Sequence, residues 1–245
     1  MADAPKRSTL TADYQRDWPE YFDAVKGQPP RETLMRALGA FEKERRPNSE
    51  SGGTKEERLA IDIACGEGRD TRAILERGWR VIAVDYHAEA VKRTVAALST
   101  EWRGRCEVRR LAMEAVATDH ELARMIGAAR DDGGEHKGSV GIADGVDLVN
   151  ASFALPFCDP DKFPALWAWI GRALRVGGRF SGQFFGDRDE WQCVRPKSHV
   201  TRAQLVELLR GFEVEHLEEV EKDGSDAMGG VKHHHVFHVV GRKKA

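Results

Sequence analysis

The chain has 245 residues, 41% hydrophobic and 32% charged, a balance that excludes a disordered protein and one built from membrane spans. Lys and Arg total 38 against 40 for Asp and Glu, so a formal charge of -2 gives no global basic footprint for nucleic acid. Cys65, Cys106, Cys158 and Cys193 are scattered without a CxxC pair, which argues against a metal clip or a disulfide framework. The charged start, Met1 to Leu10, lacks the apolar stretch of a secretory signal, so a cytoplasmic location is expected.

In chain order, residues 1 to 10 read as a tail and the polar run Arg46 to Glu57 as a linker. Between them Leu34, Leu38 and Phe41 recur at helical spacing, with Trp18, Tyr21 and Phe22 ahead of that helix. From Leu59 onward, short apolar runs alternate with amphipathic stretches, as in a parallel sheet covered by helices. Strands are predicted at Leu59 to Ile63, Trp79 to Asp85, Cys106 to Leu111, Val146 to Ala151 and Arg179 to Phe185. Helices are predicted at Thr71 to Arg77, Glu89 to Thr100, Asp119 to Ala129, Asp161 to Leu174 and Thr201 to Leu209. The pair Gly177, Gly178 is expected to close the fourth of these helices.

Asp131 to Gly145, rich in glycine and mixed charge, reads as a surface insertion. Phe212 to Val220 and His234 to Val240 read as two strands whose connection, Asp223 to Gly230, is too short for a crossover helix, so they pair antiparallel. The expected fold is therefore α/β and Rossmann-like: a seven-stranded, mostly parallel sheet with a C-terminal antiparallel hairpin and an N-terminal helical lead-in. Residues 1–55 form the lead-in and linker, and residues 56–245 one domain.

The most informative stretch is Asp62-Ile-Ala-Cys-Gly-Glu-Gly-Arg-Asp70, between a strand and a helix. Gly66 and Gly68 permit a tight turn with positive φ and a close approach of ligand to backbone. Asp85, at the end of the next apolar strand, is placed to accept hydrogen bonds from both hydroxyls of a ribose. A dinucleotide turn carries a third glycine where this chain has Thr71. Asp62, Glu67 and Asp70 surround the turn with negative charge that suits a zwitterionic sulfonium better than a diphosphate. The balance favours S-adenosylmethionine over NAD.

Asp62-Ile-Ala-Cys-Gly-Glu-Gly68 resembles the cofactor motif of class I methyltransferases, with Ala64 replacing the commonest first glycine. Arg69 and Asp70, the run Trp79 to Asp85, Arg175-Val-Gly-Gly-Arg179 and the terminal hairpin resemble the bacterial branch containing tellurite-resistance and thiopurine S-methyltransferases. The resemblance implies that Asp62, Ala64, Gly66 and Gly68 surround the methionine moiety, that Arg69 also belongs to the cofactor site, that Asp85 holds the ribose and that Tyr86 stacks on adenine. It further implies that Met113 and Glu114 meet the adenine edge, and that Asn150, Ala151 and Ser152 end the fourth strand beside the sulfonium.

The expected activity is transfer of the cofactor's methyl group to a heteroatom of a small molecule, with no nucleic acid or membrane as partner. Because the leaving group is already activated, a base is optional, and Asp187, Asp189, His234 or His235 could serve a neutral acceptor. No metal site is expected from the histidine run: strand alternation sends His233 and His235 to one face and His234 and His238 to the other. Trp18, Tyr21 and Phe22 either pack the lead-in on an outer face of the sheet or form a lid over the cofactor. Three alternatives stand beside this reading. A nucleic-acid methyltransferase would carry an Asn-Pro-Pro-aromatic turn, of which Asn150-Ala-Ser-Phe153 keeps only the ends. A nonenzymatic cofactor-binding or scaffold protein would keep Gly66, Gly68 and Asp85 without transferring methyl. A nicotinamide dehydrogenase would have to accommodate phosphates despite Thr71.

Overall fold

The computed structural model describes residues 17–44, 58–130, 145–193 and 197–245, without the side chains of 128–130. The tail at residues 1–10, the linker at 46–57 and all but the last residue of the predicted insertion at 131–145 lie outside the described residues.

Five parallel strands carry the domain: β1 (Leu59–Ile63), β2 (Arg80–Asp85), β3 (Cys106–Arg110), β4 (Val146–Ala151) and β5 (Leu174–Gly186). They are followed by β6 (His199–Val200) and a long hairpin, β7 (Phe212–Ser225) with β8 (Val231–Lys243). The order across the sheet is β3-β2-β1-β4-β5-β8-β7, with only the hairpin antiparallel to its neighbours. The two-residue β6 makes an eighth strand beyond the seven predicted. It pairs with Phe185 and Gly186, past the point where β4 leaves β5 at Gly182. Two residues are too short a run for periodicity to reveal.

Helices cover both faces. The central strands β1 and β4 are buried on both sides, so β1 reads as a continuous apolar run interrupted only by Asp62. Leu59, Ile61 and Ile63 face a layer that includes Leu122 of α5 (His120–Arg130), Trp167 of α6 (Phe163–Ala173) and Leu205 of α7 (Arg202–Leu208). Ala60 of β1 faces the opposite layer, with Leu34, Leu38 and Phe41 of α2 (Glu32–Lys43) and Ile74 of α3 (Arg69–Leu75). The lead-in helix α2 therefore belongs to the same core as the sheet, and Thr33 accepts a buried hydrogen bond from Gln183 of β5 at 2.9 Å. Thr201 and Gln204 form a capping box at the start of α7, which fixes its entry next to β6.

Gly177 and Gly178 do not close a helix. α6 ends at Ala173, β5 starts at once, and the glycines occupy a bulge where the register against β4 jumps from Val146/Leu174 to Leu148/Arg179. A Cβ on Gly178 would stand 2.9 Å from the carbonyl oxygens of Arg175 and Val146, so the bulge needs a residue without one. The hairpin loop is also tighter than predicted: Asp226 accepts from the backbone of Met228 and Gly230, both at 2.9 Å, and the strands run up to Ser225 and on from Val231.

Candidate functional site

The strand order reverses between β1 and β4, and a crevice opens at the carboxyl ends of the parallel strands there, as expected at a topological switch point. It is a cleft of about 1360 Å³, roomy against the ~300–1,000 Å³ usual for one small ligand.

One half is built by the glycine turn. Ala64, Gly66 and Gly68 all have positive φ, at 55, 59 and 83°. Ala64 thus keeps a left-handed backbone despite its Cβ, which costs about 1–2 kcal/mol outside glycine. Gly68 is needed for another reason: a Cβ there would stand 2.9 Å from the Thr94 hydroxyl of α4 (Ala88–Ala97). Asp85 closes the turn. Its two carboxylate oxygens accept one backbone N–H each, from Gly66 at 3.0 Å and His87 at 2.8 Å, which leaves lone pairs directed at the cleft. Burial pushes its pKa up against the pull of those two N–H groups.

Asp62 lies deeper, accepting from the Thr71 hydroxyl at 2.6 Å and from the Asn150 amide at 2.8 Å. Burial, then the neighbouring Asp70, pushes its carboxyl up to about 7. Asn150 also donates to Asp70 at 3.2 Å and accepts from the Ser181 hydroxyl at 2.7 Å. It ties β1, α3, β4 and β5 together beneath the crevice.

Of the residues singled out from sequence, Asp62, Ala64, Gly66, Arg69, Asp85, Tyr86, Met113, Glu114 and Ser152 line the cleft. Gly68, Asn150 and Ala151 do not: Gly68 packs on Thr94, and Asn150 and Ala151 stand buried behind the wall as supports. Glu114 accepts from the backbone of Asp159 at 3.2 Å, which anchors the wall that follows β4.

The aromatic cluster of the lead-in sits on the cleft and not on an outer face. In α1 (Trp18–Ala24), Trp18 meets Phe157 edge-on at 5.3 Å and Tyr86 at 6.3 Å, while Phe22 meets His87 at 6.0 Å and covers Gly66.

The other half of the cleft was largely unforeseen. Phe153, Phe157, Phe185 and Trp191 form an aromatic wall, with the Lys197 ammonium 4.0 Å from the centre of the Phe157 ring. Lys232 is fully buried in an ion pair with Asp189, its ammonium 4.0 Å from the centre of the Trp191 ring. On β8, Lys232, His234, Val236 and His238 face the cleft, while His233 and His235 face away, as alternation predicts. Burial lowers the pKa of both His234 and His238, which keeps these imidazoles neutral near pH 7.

The bases considered from sequence are corrected accordingly: Asp187, Asp189 and His235 do not line the cleft. Asp189 is committed to Lys232 and to the backbone of Trp191 and His235, and His235 packs on Gly186 with its ring nitrogens toward Arg188 and Glu219. Among the described residues, Glu219, Glu221 and His235 are close enough together to hold a metal ion. Arg188 and Arg202 already neutralise the two carboxylates.

No protein-family model matches the sequence, and no curated protein does. Solved structures do match in fold. TehB from Haemophilus influenzae superposes with a TM-score of 0.58 at 13% identity, over 86% of this chain and 62% of its own, so the chain spans less than two thirds of TehB. The 1,6-didemethyltoxoflavin-N1-methyltransferase of Burkholderia thailandensis, solved with 1,6-didemethyltoxoflavin and S-adenosylhomocysteine, gives 0.52 at 21% identity over 99% of this chain and 95% of its own. A SAM-dependent methyltransferase from Anabaena variabilis gives 0.52 at 16% identity over 98% and 100%. The chain has the fold of the class I S-adenosylmethionine-dependent methyltransferases.

Proposed function

We propose that this protein is an S-adenosylmethionine-dependent methyltransferase that modifies a small, flat acceptor. The observation that carries the reading is Asp85: a buried carboxylate at the end of β2, held by the backbone N–H groups of Gly66 in the glycine turn and of His87, one strand from the switch point of the sheet. The residues present fit the cofactor. Asp85 offers acceptors to a ribose, Asp62 and Glu67 offer negative charge to an ammonium, and the Glu67 side chain holds a buried oxygen with no hydrogen bond of its own. The cofactor supplies a methyl group on an activated sulfonium, and the protein's work is alignment and exclusion of water.

Trp18, Tyr21 and Phe22 serve as the cover that keeps water out. Phe153, Phe157, Phe185 and Trp191 offer ring faces and edges to a planar acceptor. His234 and His238, neutral and facing the cleft, are the groups placed to take a proton from a neutral acceptor.

The test begins with thermal unfolding. S-adenosylhomocysteine should raise Tm and NAD should not, since ligand at a hundredfold excess over Kd stabilises by about 2.7 kcal/mol. Asp85→Ala should weaken S-adenosylhomocysteine binding by at least about 1.5 kcal/mol, roughly tenfold. Equal shifts with both ligands, or an unchanged Kd, would refute the assignment. Conversion of S-adenosylmethionine to S-adenosylhomocysteine in a panel of thiols, phenols, amines and metalloid oxyanions, read by mass spectrometry, then identifies the acceptor class.

A further inference from the structure

The cofactor reading leaves one charge unaccounted for. Asp62, Glu67, Asp70 and Asp85 supply four carboxylates around the glycine turn, which suit an ammonium and a ribose but repel the carboxylate at the other end of a methionine tail. Two arginines line this half of the cleft. The Arg69 Nε makes no hydrogen bond, but its charge is already compensated, with Glu67 and Asp70 each 3.9 Å away. That of Arg31 is not. Among the described residues no carboxylate lies within 4.0 Å of its guanidinium, and its Nε is buried without a hydrogen-bond partner.

Arg31 is nevertheless held firmly in place. Its backbone N–H donates to the Asp70 carboxylate at 3.0 Å, which fixes the segment between α1 and α2 against the first turn of α3. Its guanidinium lies over the Phe153 ring, 4.5 Å from the centroid. That ring is itself held in an uncommon posture: Phe153 has φ 51°, and its N–H donates to the Gln183 side chain at 2.7 Å. A non-glycine residue in this region needs neighbours that over-determine it. The result is a guanidinium on an aromatic shelf between the glycine turn and the end of β4, with donor capacity unspent and, among the described residues, no carboxylate in ion-pair reach. A planar fork of N–H donors in that state matches a carboxylate.

We propose that Arg31 binds the methionine carboxylate of the cofactor, and so makes the segment between α1 and α2 part of the cofactor site. This inference rests on the S-adenosylmethionine reading above. It assigns the binding role to a residue that lies outside the sequence motif and meets it only through a backbone hydrogen bond to Asp70.

The test compares two probes that differ in the group concerned. S-adenosylhomocysteine carries the amino-acid carboxylate, whereas 5′-methylthioadenosine keeps the nucleoside and sulfur but lacks it. Kd values for both are measured by calorimetry with wild type, Arg31→Met and Arg31→Lys. Arg31→Met should weaken S-adenosylhomocysteine at least thirtyfold and shift 5′-methylthioadenosine less than threefold, with Arg31→Lys intermediate for the first probe. Equal losses on both probes would show that Arg31 acts only through the fold of the lead-in, and no loss on either would place its charge elsewhere. Each outcome overturns the assignment. Wild-type protein that binds neither probe overturns the cofactor reading and this assignment with it. Circular dichroism and Tm of the ligand-free variants separate loss of the contact from loss of the fold.

Discussion

Asp62→Asn isolates the electrostatic cost of burying acids beneath the cleft. In the folded protein the Asp62 carboxyl is pushed up to about 7 from an ordinary value of 3.8, by burial first and by Asp70 second. The folded state therefore binds this proton more tightly than the unfolded chain does, and stability falls as pH rises from about 4 to about 7. At 1.36 kcal/mol per pH unit, roughly three units amount to an upper bound of about 4 kcal/mol. Asparagine keeps the shape: its oxygen still accepts from Asn150, and the Thr71 hydroxyl, now a donor at 2.6 Å, can turn to accept from the new amide. Urea unfolding of both proteins at intervals between about pH 5 and pH 8 should show the variant gaining on wild type as pH rises, with the gap level above about pH 7.5. Parallel stability curves over that range would refute the account of Asp62 as a strained buried acid.

Ala64→Gly should raise stability by about 0.5–1 kcal/mol, because relief of the left-handed backbone at φ 55° outweighs the added freedom of the unfolded chain; a lower urea midpoint would show that Ala64 carries no strain. Gly186→Ala should destabilise by about 3 kcal/mol or more, since its Cβ would fall 2.0 Å from Nδ1 of the fully buried His235. Adding His235→Ala to it should recover much of that loss, and a failure to recover would place the clash elsewhere. Removing residues 1–25 takes away Trp18, Tyr21 and Phe22 and should lower methyl transfer about tenfold, or ~1.4 kcal/mol in the barrier, while the sheet still unfolds cooperatively. Full activity in the shortened protein would leave those aromatics as packing alone.

What the sequence made legible were features written in adjacent residues. β1 and β4 were read with their observed bounds because each is a short, mainly apolar run, broken only by Asp62 in the first and by Asp147 and Asn150 in the second. The glycine turn and Asp85 stood out because positive φ and a carboxylate at a strand end leave a local trace. Gly177 and Gly178 misled because glycine after a helix and glycine in a bulge look alike until the partner strand is known. Arg31 was invisible for a related reason. Its neighbours Asp70 and Phe153 come from distant parts of the chain, and nothing in Pro29-Pro30-Arg31 signals a ligand. The aromatic wall likewise assembles from the loop after β4, the end of β5 and the loop that follows it, each carrying a ring that alone reads as core.

The alternation along β8 has a consequence for how such a protein changes its chemistry. Lys232, His234, Val236 and His238 present one side of a single strand to the acceptor half of the cleft, and none of them belongs to the glycine turn or to β2. Their neighbours on the strand, His233, His235 and Phe237, face the opposite side and hold β8 to Glu221 of β7, to Gly186 and to the core. Under the proposed function, acceptor preference and cofactor grip would be encoded in separable stretches of chain. On that reading His234, Val236 and His238 are the positions to vary for a new acceptor, since Lys232 is tied to the buried Asp189, while the odd-numbered positions between them keep the strand seated.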